Sequence, residues 1–178
     1  MPGNDVETEG TPIGTISELV AALLREPDAS AHGAILARYA VPGRDLEPYF
    51  RWSDRHYTRT CVIRNAAFEL LVVCYEPGQR TSIHDYDSDT AWVHPVMGEV
   101  REERFLSGAG GGLHLLQETR LRPGMLGTLT RANSIHRFSN PGPGRAVTLN
   151  LYAPAKRKWR VYDPRTGSSS LEEAGPRG

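Results

Sequence analysis

The chain has 178 residues, of which 39% are hydrophobic and 24% charged, and its 21 basic side chains balance 21 acidic ones. This charge balance argues against a nucleic-acid groove or a membrane-binding surface, and the length predicts one domain with a substantial core. The sequence has no apolar run near the roughly 20 residues of a membrane span, no signal peptide and only two cysteines, so we expect a soluble, cytoplasmic protein with reduced thiols.

The first third of the chain predicts a small helical part. Residues 1–12 are polar and are expected to be flexible. Apolar residues recur at helical spacing after Thr15, which forms a capping box with Glu18 and so predicts where the first helix begins. We assign residues 13–55 to this helical part. Its predicted helices or turns lie at 15–27, 31–40 and 44–52.

From residue 56 onward the pattern becomes that of a β protein. Nine short apolar runs are separated by turn signals rich in glycine and proline, which is typical of a sandwich or barrel. We therefore predict a β-barrel over 56–167, a single domain over 13–167 and a flexible tail over 168–178. The runs lie at 60–64, 68–76, 90–100, 101–106, 113–121, 125–130, 136–140, 146–154 and 158–163.

The stretch TSIHDYDSDTAWVHPVMGE has the features of a metal-binding strand. Alternate residues of a strand point to the same face, so His84 and Tyr86 are predicted to point at one place. Asp85 and Asp87 have the opposite parity and are predicted to be turn or surface residues. His136, in SIHRFSN, supplies a second imidazole, a common ligand of transition metals.

Five motifs in the same order resemble those of the cysteine dioxygenases, which are thiol dioxygenases of the cupin fold. The spacing of Gly78, His84, Tyr86 and Gly98 resembles the first cupin motif, and that of His136 and Asn140 the second. The resemblance covers most of the chain and implies a mainly β fold, a jelly-roll-like cupin barrel. The five motifs are YTR (57–59), SIHDYDSD (82–89), SIHRFSN (134–140), TLNLYAP (148–154) and YDPRTG (162–167).

The resemblance implies a metal held by His84 and His136, with Tyr86 in the place of the family's third histidine. Fe(II) is the expected metal, and Ni(II) or another divalent transition metal is the alternative. Tyr86 either coordinates the metal or only fills the space of the missing imidazole. We favour coordination, because the parity of His84 and Tyr86 on one strand aims both at the same point. A bound cation would lower the pKa of tyrosine, which is about 10 when free. His94 is a rival third ligand predicted to point out to a surface or interface, and Asp87 is the next candidate.

Arg59 and Tyr57 are candidate substrate-binding residues. They are two positions apart on a predicted strand and so face the same way. An unpaired guanidinium inside a barrel would need an anion, and its planar fork suits a carboxylate. That anion is either a protein carboxylate or the substrate, and the resemblance implies the substrate.

Thr148, Asn150 and Tyr152 alternate along one predicted strand and are candidate catalytic residues. The resemblance places Thr148 and Asn150 where the family has a serine and a histidine. Tyr152 matches the family's tyrosine, and we expect its hydroxyl to form a hydrogen bond with the substrate or with bound oxygen. Ala91 stands where the mammalian branch has a cysteine that cross-links to this tyrosine, so that cross-link cannot form here.

These features predict a metal-dependent oxygenase that oxidises the sulfur of L-cysteine, or of a similar small carboxylate-bearing thiol, with dioxygen. The implied product is a sulfinic acid, or a diverted product such as a sulfonamide in specialised metabolism. The alternatives are a non-catalytic cupin that binds a small acidic ligand and a cupin enzyme with another metal and reaction. No nucleic-acid or membrane partner is expected, and the oligomeric state is not predicted.

Overall fold

A computed structural model of the protein describes residues 10–40, 44–108, 110–131 and 135–173. Within these ranges the helices are α1 (Ile16–Arg25) and α2 (His32–Ala37), with 3₁₀ turns at Ala29–Ala31 and Arg44–Tyr49. Thr15 Oγ1 accepts a hydrogen bond from the Glu18 amide at 3.2 Å, and the Glu18 carboxylate accepts one from the Thr15 amide at 3.0 Å. The predicted capping box is therefore confirmed. None of the helices in the described ranges is long and apolar enough to cross a membrane.

The rest of the described chain forms two antiparallel sheets. One sheet has the strand order β1-β2-β9-β4-β7, and the other has the order β11-β10-β3-β8-β5-β6. The strands are β1 (Thr58–Arg64), β2 (Glu69–Tyr75), β3 (Ile83–His84), β4 (Thr90–Met97), β5 (Val100–Ser107), β6 (Leu113–Leu121), β7 (Gly127–Thr130), β8 (His136–Ser139), β9 (Ala146–Ala153), β10 (Lys158–Tyr162) and β11 (Ser169–Glu173).

The two sheets face each other across a buried core, in which Val73 and Val93 of the first sheet pack with Phe138 of the second. The opposite face of the five-stranded sheet packs against the helical part, and Leu19 of α1 lies in the same hydrophobic cluster as Leu149 of β9. Strand β9 is consequently buried along its whole length. The predicted mainly β fold with a helical N-terminal part is confirmed, as a jelly roll of two sheets rather than a closed barrel.

The prediction that His94 lies at a surface or interface is wrong. The parity of β4 is as expected, because Ala91 and Val93 face the core between the sheets and His94 faces the other way. His94 is nevertheless only 1% exposed, because the helical part covers that face of the sheet. Its Nδ1 lies 3.1 Å from the Met125 carbonyl and its Nε2 lies 3.3 Å from the Tyr39 carbonyl. His94 is thus a buried histidine and not a surface residue.

The predicted tail from residue 168 needs a correction as well. Residues Ser169–Glu173 form β11, which pairs with β10, and the ammonium of Lys158 lies 2.9 Å from the Glu173 carboxylate. All five residues of β11 are exposed, so the strand lacks the apolar alternation by which a sequence reveals a strand. Of the flexible N-terminus predicted over residues 1–12 and the tail predicted over 168–178, residues 1–9 and 174–178 lie outside the described residues.

Candidate metal and substrate site

His84 and His136 lie opposite each other on neighbouring strands. They form a cross-strand pair between β3 and β8, and the centroids of their rings are 4.4 Å apart. Paired residues of antiparallel strands point to the same face, and here that face is the interior, where both histidines are buried. Register thus brings together two imidazoles that are far apart in sequence.

His84 is oriented by its own backbone. Its Nδ1 donates a hydrogen bond to the Ser82 carbonyl at 2.9 Å, which leaves the Nε2 lone pair free for a metal. Burial, followed by the charges of His136 and Lys156, holds the pKa of His84 well below its ordinary value. The ring is therefore neutral near pH 7, which is the protonation state that a metal ligand needs.

Tyr86 lies beside this pair and is buried. Its ring centroid is 5.1 Å from that of His136 and 6.0 Å from that of His84. Burial, with smaller contributions from the charges of Tyr152 and Glu102, raises the pKa of Tyr86 well above 10. Without a cation Tyr86 is thus a neutral phenol, and coordination as a phenolate would require the positive charge of a bound metal to reverse this shift.

The two neighbouring aspartates stabilise a strand edge. The Asp85 carboxylate accepts hydrogen bonds from the Arg160 amide and from the Tyr162 hydroxyl, and the Asp87 carboxylate accepts one from the Arg157 amide. Both aspartates are thus half-buried in a segment whose backbone pairs with β10, and not in a turn or at the surface as predicted. Across the described residues no three His, Cys, Asp or Glu side chains come together. Among the described residues, a third protein ligand would therefore be another residue type, such as the phenol of Tyr86.

A small cavity lies next to the histidine pair. Its volume is about 20 Å³, room for about one water molecule, so a thiol substrate enters only if side chains at its mouth move. Six of the eight predicted site residues line it, whereas Tyr86 and Thr148 lie beside it. The lining residues are Tyr57, Arg59, Val73, Tyr75, Thr81, His84, His136, Phe138, Asn150, Tyr152 and Lys156.

The polar row on β9 is linked by hydrogen bonds. The Thr148 hydroxyl donates to Asn150 Oδ1 at 2.6 Å, and Asn150 Nδ2 donates to the Tyr152 hydroxyl at 3.5 Å. All three side chains are buried. Tyr152 packs edge-on against Tyr86, with ring centroids 5.1 Å apart. Thr148 thus orients Asn150, which in turn lies next to the hydroxyl predicted to meet the substrate.

Two imidazoles, a guanidinium and a phenol around one buried cavity agree with the predicted family. The family model of cysteine dioxygenase type I matches residues 5–165. The chain belongs to this family. Cysteine dioxygenase type 1 of Homo sapiens is 25% identical over 138 residues, which cover 75% of this chain and 69% of the human protein. The Rattus norvegicus protein is 26% identical over the same lengths. The protein is accordingly a thiol dioxygenase, an oxidoreductase that uses dioxygen.

Solved structures agree with the architecture expected of this family. A Klebsiella pneumoniae protein with a double-stranded β-helix domain has a TM-score of 0.52 at 19% identity, covering 72% of this chain and 88% of that one. A Thermus thermophilus protein has a TM-score of 0.52 at 20% identity, covering 63% and 96%. At these identities the likeness shows the fold alone, and it confirms the predicted jelly-roll-like cupin architecture.

One departure from the mammalian cysteine dioxygenases has a clear structural setting. Ala91 on β4 is the direct cross-strand neighbour of Tyr152 on β9. The methyl group of Ala91 therefore occupies the position from which a cysteine could reach the tyrosine ring. The prediction that Tyr152 carries no cross-link from this position agrees with that register.

The prediction that the Arg59 guanidinium is buried is wrong. It faces the cavity, with Cζ 5.9 Å from the ring centroids of both Tyr57 and Trp159, but the residue is exposed. The reason is that β1 is the edge strand of its sheet, so its inward side chains reach solvent at the cavity mouth. Arg59 is thus accessible to an incoming anion.

Lys156 is a site residue that the sequence pattern missed. It lines the cavity and is 5% exposed, although it lies in the basic run AKRKW, which is typical of a solvated loop. The one available signal is its position, two residues after the proline that ends the TLNLYAP motif. Lys156 lies outside the five motifs from which the site was predicted.

Proposed function

We propose that the protein oxidises the sulfur of L-cysteine, or of a similar small carboxylate-bearing thiol, at a transition metal held by His84 and His136. The observation that carries this proposal is the single cavity that joins these imidazoles to the guanidinium of Arg59 and the hydroxyl of Tyr152. The proposed reaction adds both atoms of one dioxygen to the thiol sulfur and gives a sulfinic acid. The thiol proton becomes the acidic proton of the product.

The residues present suit a transition metal, and Fe(II) is the metal that we propose, with Ni(II) as the alternative. Both histidines are buried, His84 is neutral with Nε2 free, and Tyr86 is available as a third donor. Imidazole ligands suit iron and nickel alike. A bound metal of this kind would supply the redox chemistry that couples dioxygen to the thiol.

The remaining residues hold the substrate. We assign the substrate carboxylate to Arg59, whose guanidinium can donate two parallel hydrogen bonds, and to the adjacent Tyr57 hydroxyl. Tyr57 is stacked on Tyr75 with ring centroids 5.6 Å apart, which restricts its movement. Tyr152, with Asn150 beside it, can donate a hydrogen bond to the thiol or to oxygen.

The proposed function is tested by metal analysis of the isolated protein, followed by thiol addition in air. We expect about one metal ion per chain, oxygen uptake that depends on the thiol, and a product heavier than the thiol by two oxygen atoms. A diverted product would appear at a different mass. Metal-loaded protein that takes up no oxygen with any small carboxylate-bearing thiol would refute the proposal.

Arg59→Ala is expected to weaken the use of carboxylate-bearing thiols selectively. A charge-assisted hydrogen bond contributes about 1.5–3 kcal/mol, so the KM for cysteine should rise about ten- to hundredfold. The KM for cysteamine, which lacks a carboxylate, should change little. Arg55→Ala is the matched control, since Arg55 is exposed and does not line the cavity. An equal loss for both thiols would mean that Arg59 has a structural role.

Tyr86→Phe separates the two interpretations of Tyr86. The variant keeps the ring and removes one oxygen atom, so packing is retained and a possible donor is lost. If the phenol coordinates, metal content and turnover should both fall, and Tyr86→His should restore them with a third imidazole. The measurements are metal content and product profile beside the wild type. Unchanged values in Tyr86→Phe would show that the ring only fills space.

A further inference from the structure

The ammonium group of Lys156 lies in an aromatic setting beside the cavity. Nζ is 4.7 Å from the ring centroid of Trp159, 5.1 Å from that of Tyr152 and 5.9 Å from that of Tyr86. The residue is 5% exposed and lines the same cavity as the two histidines. A long cationic side chain is thus buried where the substrate of the proposed reaction would bind.

Protein carboxylates do not neutralise this ammonium. The Lys156 carbonyl accepts a hydrogen bond from Arg64, but the ammonium forms no hydrogen bond or ion pair with the residues that the structure describes, and the two acidic groups that act on it have other partners. Glu69 is paired with Arg64 at 3.2 Å, and Asp87 accepts a hydrogen bond from the Arg157 amide. Burial, followed by the charge of Arg59, lowers the pKa of Lys156 to about 7. The opposing charges of Glu69 and Asp87 have smaller effects.

Lys156 and Arg59 form one cationic recess. Arg59 Cζ is 5.9 Å, and Lys156 Nζ 4.7 Å, from the same Trp159 ring centroid. Arg59, too, has no ion pair within the described ranges. Burial of the Lys156 ammonium without a counter-ion is costly, and contact with aromatic faces returns only part of that cost. An apolar residue would pack there at lower cost, so the arrangement calls for an anionic ligand.

We propose that Lys156 binds a second anionic group of the substrate, so that the site selects small thiols with two anionic groups. This inference rests on the proposed function, because it concerns the ligand of the same site. One carboxylate is matched by Arg59, and the second anion would be matched by Lys156. Cysteine has one carboxylate and an ammonium group, and that ammonium would meet a like charge at Lys156. A thiol dicarboxylate has no such conflict.

The test compares mercaptosuccinate with 3-mercaptopropionate, which lacks the second carboxylate. Binding is measured by titration calorimetry and turnover by oxygen uptake, for the wild type and for Lys156→Met. We expect the wild type to bind mercaptosuccinate at least about tenfold more tightly, and Lys156→Met to abolish that preference. Lys158→Met is the matched control, because Lys158 is two residues away but exposed and paired with Glu173. It should keep the preference.

The outcomes distinguish this inference from the proposed function. If thiols are oxidised but Lys156→Met leaves the ratio of the two affinities unchanged, the second-anion role is wrong and the oxygenase proposal stands. If mercaptosuccinate binds with a Lys156-dependent preference but no thiol is oxidised, the oxygenase proposal fails and the ligand class stands. A wild type that binds 3-mercaptopropionate as tightly as mercaptosuccinate also overturns the inference.

Discussion

We expect His136→Ala to lose both stoichiometric metal and thiol oxidation. Two imidazoles form the proposed site, and no cluster of three His, Cys, Asp or Glu side chains exists in the described part of the chain to replace them. Removal of one imidazole leaves His84 and the phenol of Tyr86 as the remaining candidate ligands. Even changes to groups that merely orient ligands weaken metal binding 10–100-fold, so loss of a ligand should be larger. Elemental analysis and oxygen uptake measure the two effects.

Two further variants make this result specific. His136 is 1% exposed, so its truncation leaves a cavity, and His136→Gln keeps most of the volume while removing the imidazole. It should fold like the wild type, as judged by circular dichroism, and still lack metal. His114→Ala alters an exposed histidine on β6 and should retain metal and turnover. Full metal occupancy in both His136 variants would defeat the site assignment.

Lys156→Met is expected to stabilise the protein while it impairs ligand selection. The pKa of Lys156 falls from 10.5 to about 7 on folding, which corresponds to a cost on the order of 5 kcal/mol as an upper limit. Replacing buried charges by apolar side chains of similar volume often stabilises by about 1–4 kcal/mol. We therefore expect Lys156→Met to raise the free energy of unfolding by an amount in that range at pH 6.

The pH dependence gives this prediction a sign. Below pH 7 both the folded and the unfolded chain bind the Lys156 proton, so the cost is present in full. Between pH 7 and 10.5 only the unfolded chain keeps it, so the cost falls as the pH rises and is absent above 10.5. The advantage of Lys156→Met in urea unfolding should thus shrink from pH 6 to pH 9, whereas Lys158→Met should show no such trend. A Lys156→Met protein less stable than the wild type at pH 6 would contradict this account.

The parts of the site that the sequence predicted depend on local periodicity and on family motifs. Strand parity brought Tyr86 to the same side as His84, even though β3 ends at His84. The same parity put Thr148, Asn150 and Tyr152 in one row. Two-residue alternation holds over short distances whatever the rest of the fold does.

The errors came from relations between elements that are distant in sequence. Arg59 is exposed because β1 is an edge strand, and His94 is buried because the helical part covers β4. Neither fact is encoded near the residue itself. Strand β11 has no apolar face, and Lys156 lies in a run whose composition is typical of a surface loop. A composition-based prediction assigns such segments to solvent, whereas backbone pairing and tertiary packing determine where they lie.

The pairing of Ala91 with Tyr152 bears on whether the site needs a covalent modification before it can act. Joining a cysteine sulfur to a tyrosine ring removes hydrogen from both groups, so a site with such a cross-link needs an oxidation step before it is complete. Here the residue paired with Tyr152 is an alanine, whose methyl group cannot form that bond, so no such oxidation step is needed at this position. The Tyr152 phenol is held by its packing against Tyr86 and by the long 3.5 Å hydrogen bond from Asn150, and not by a covalent bond from this position.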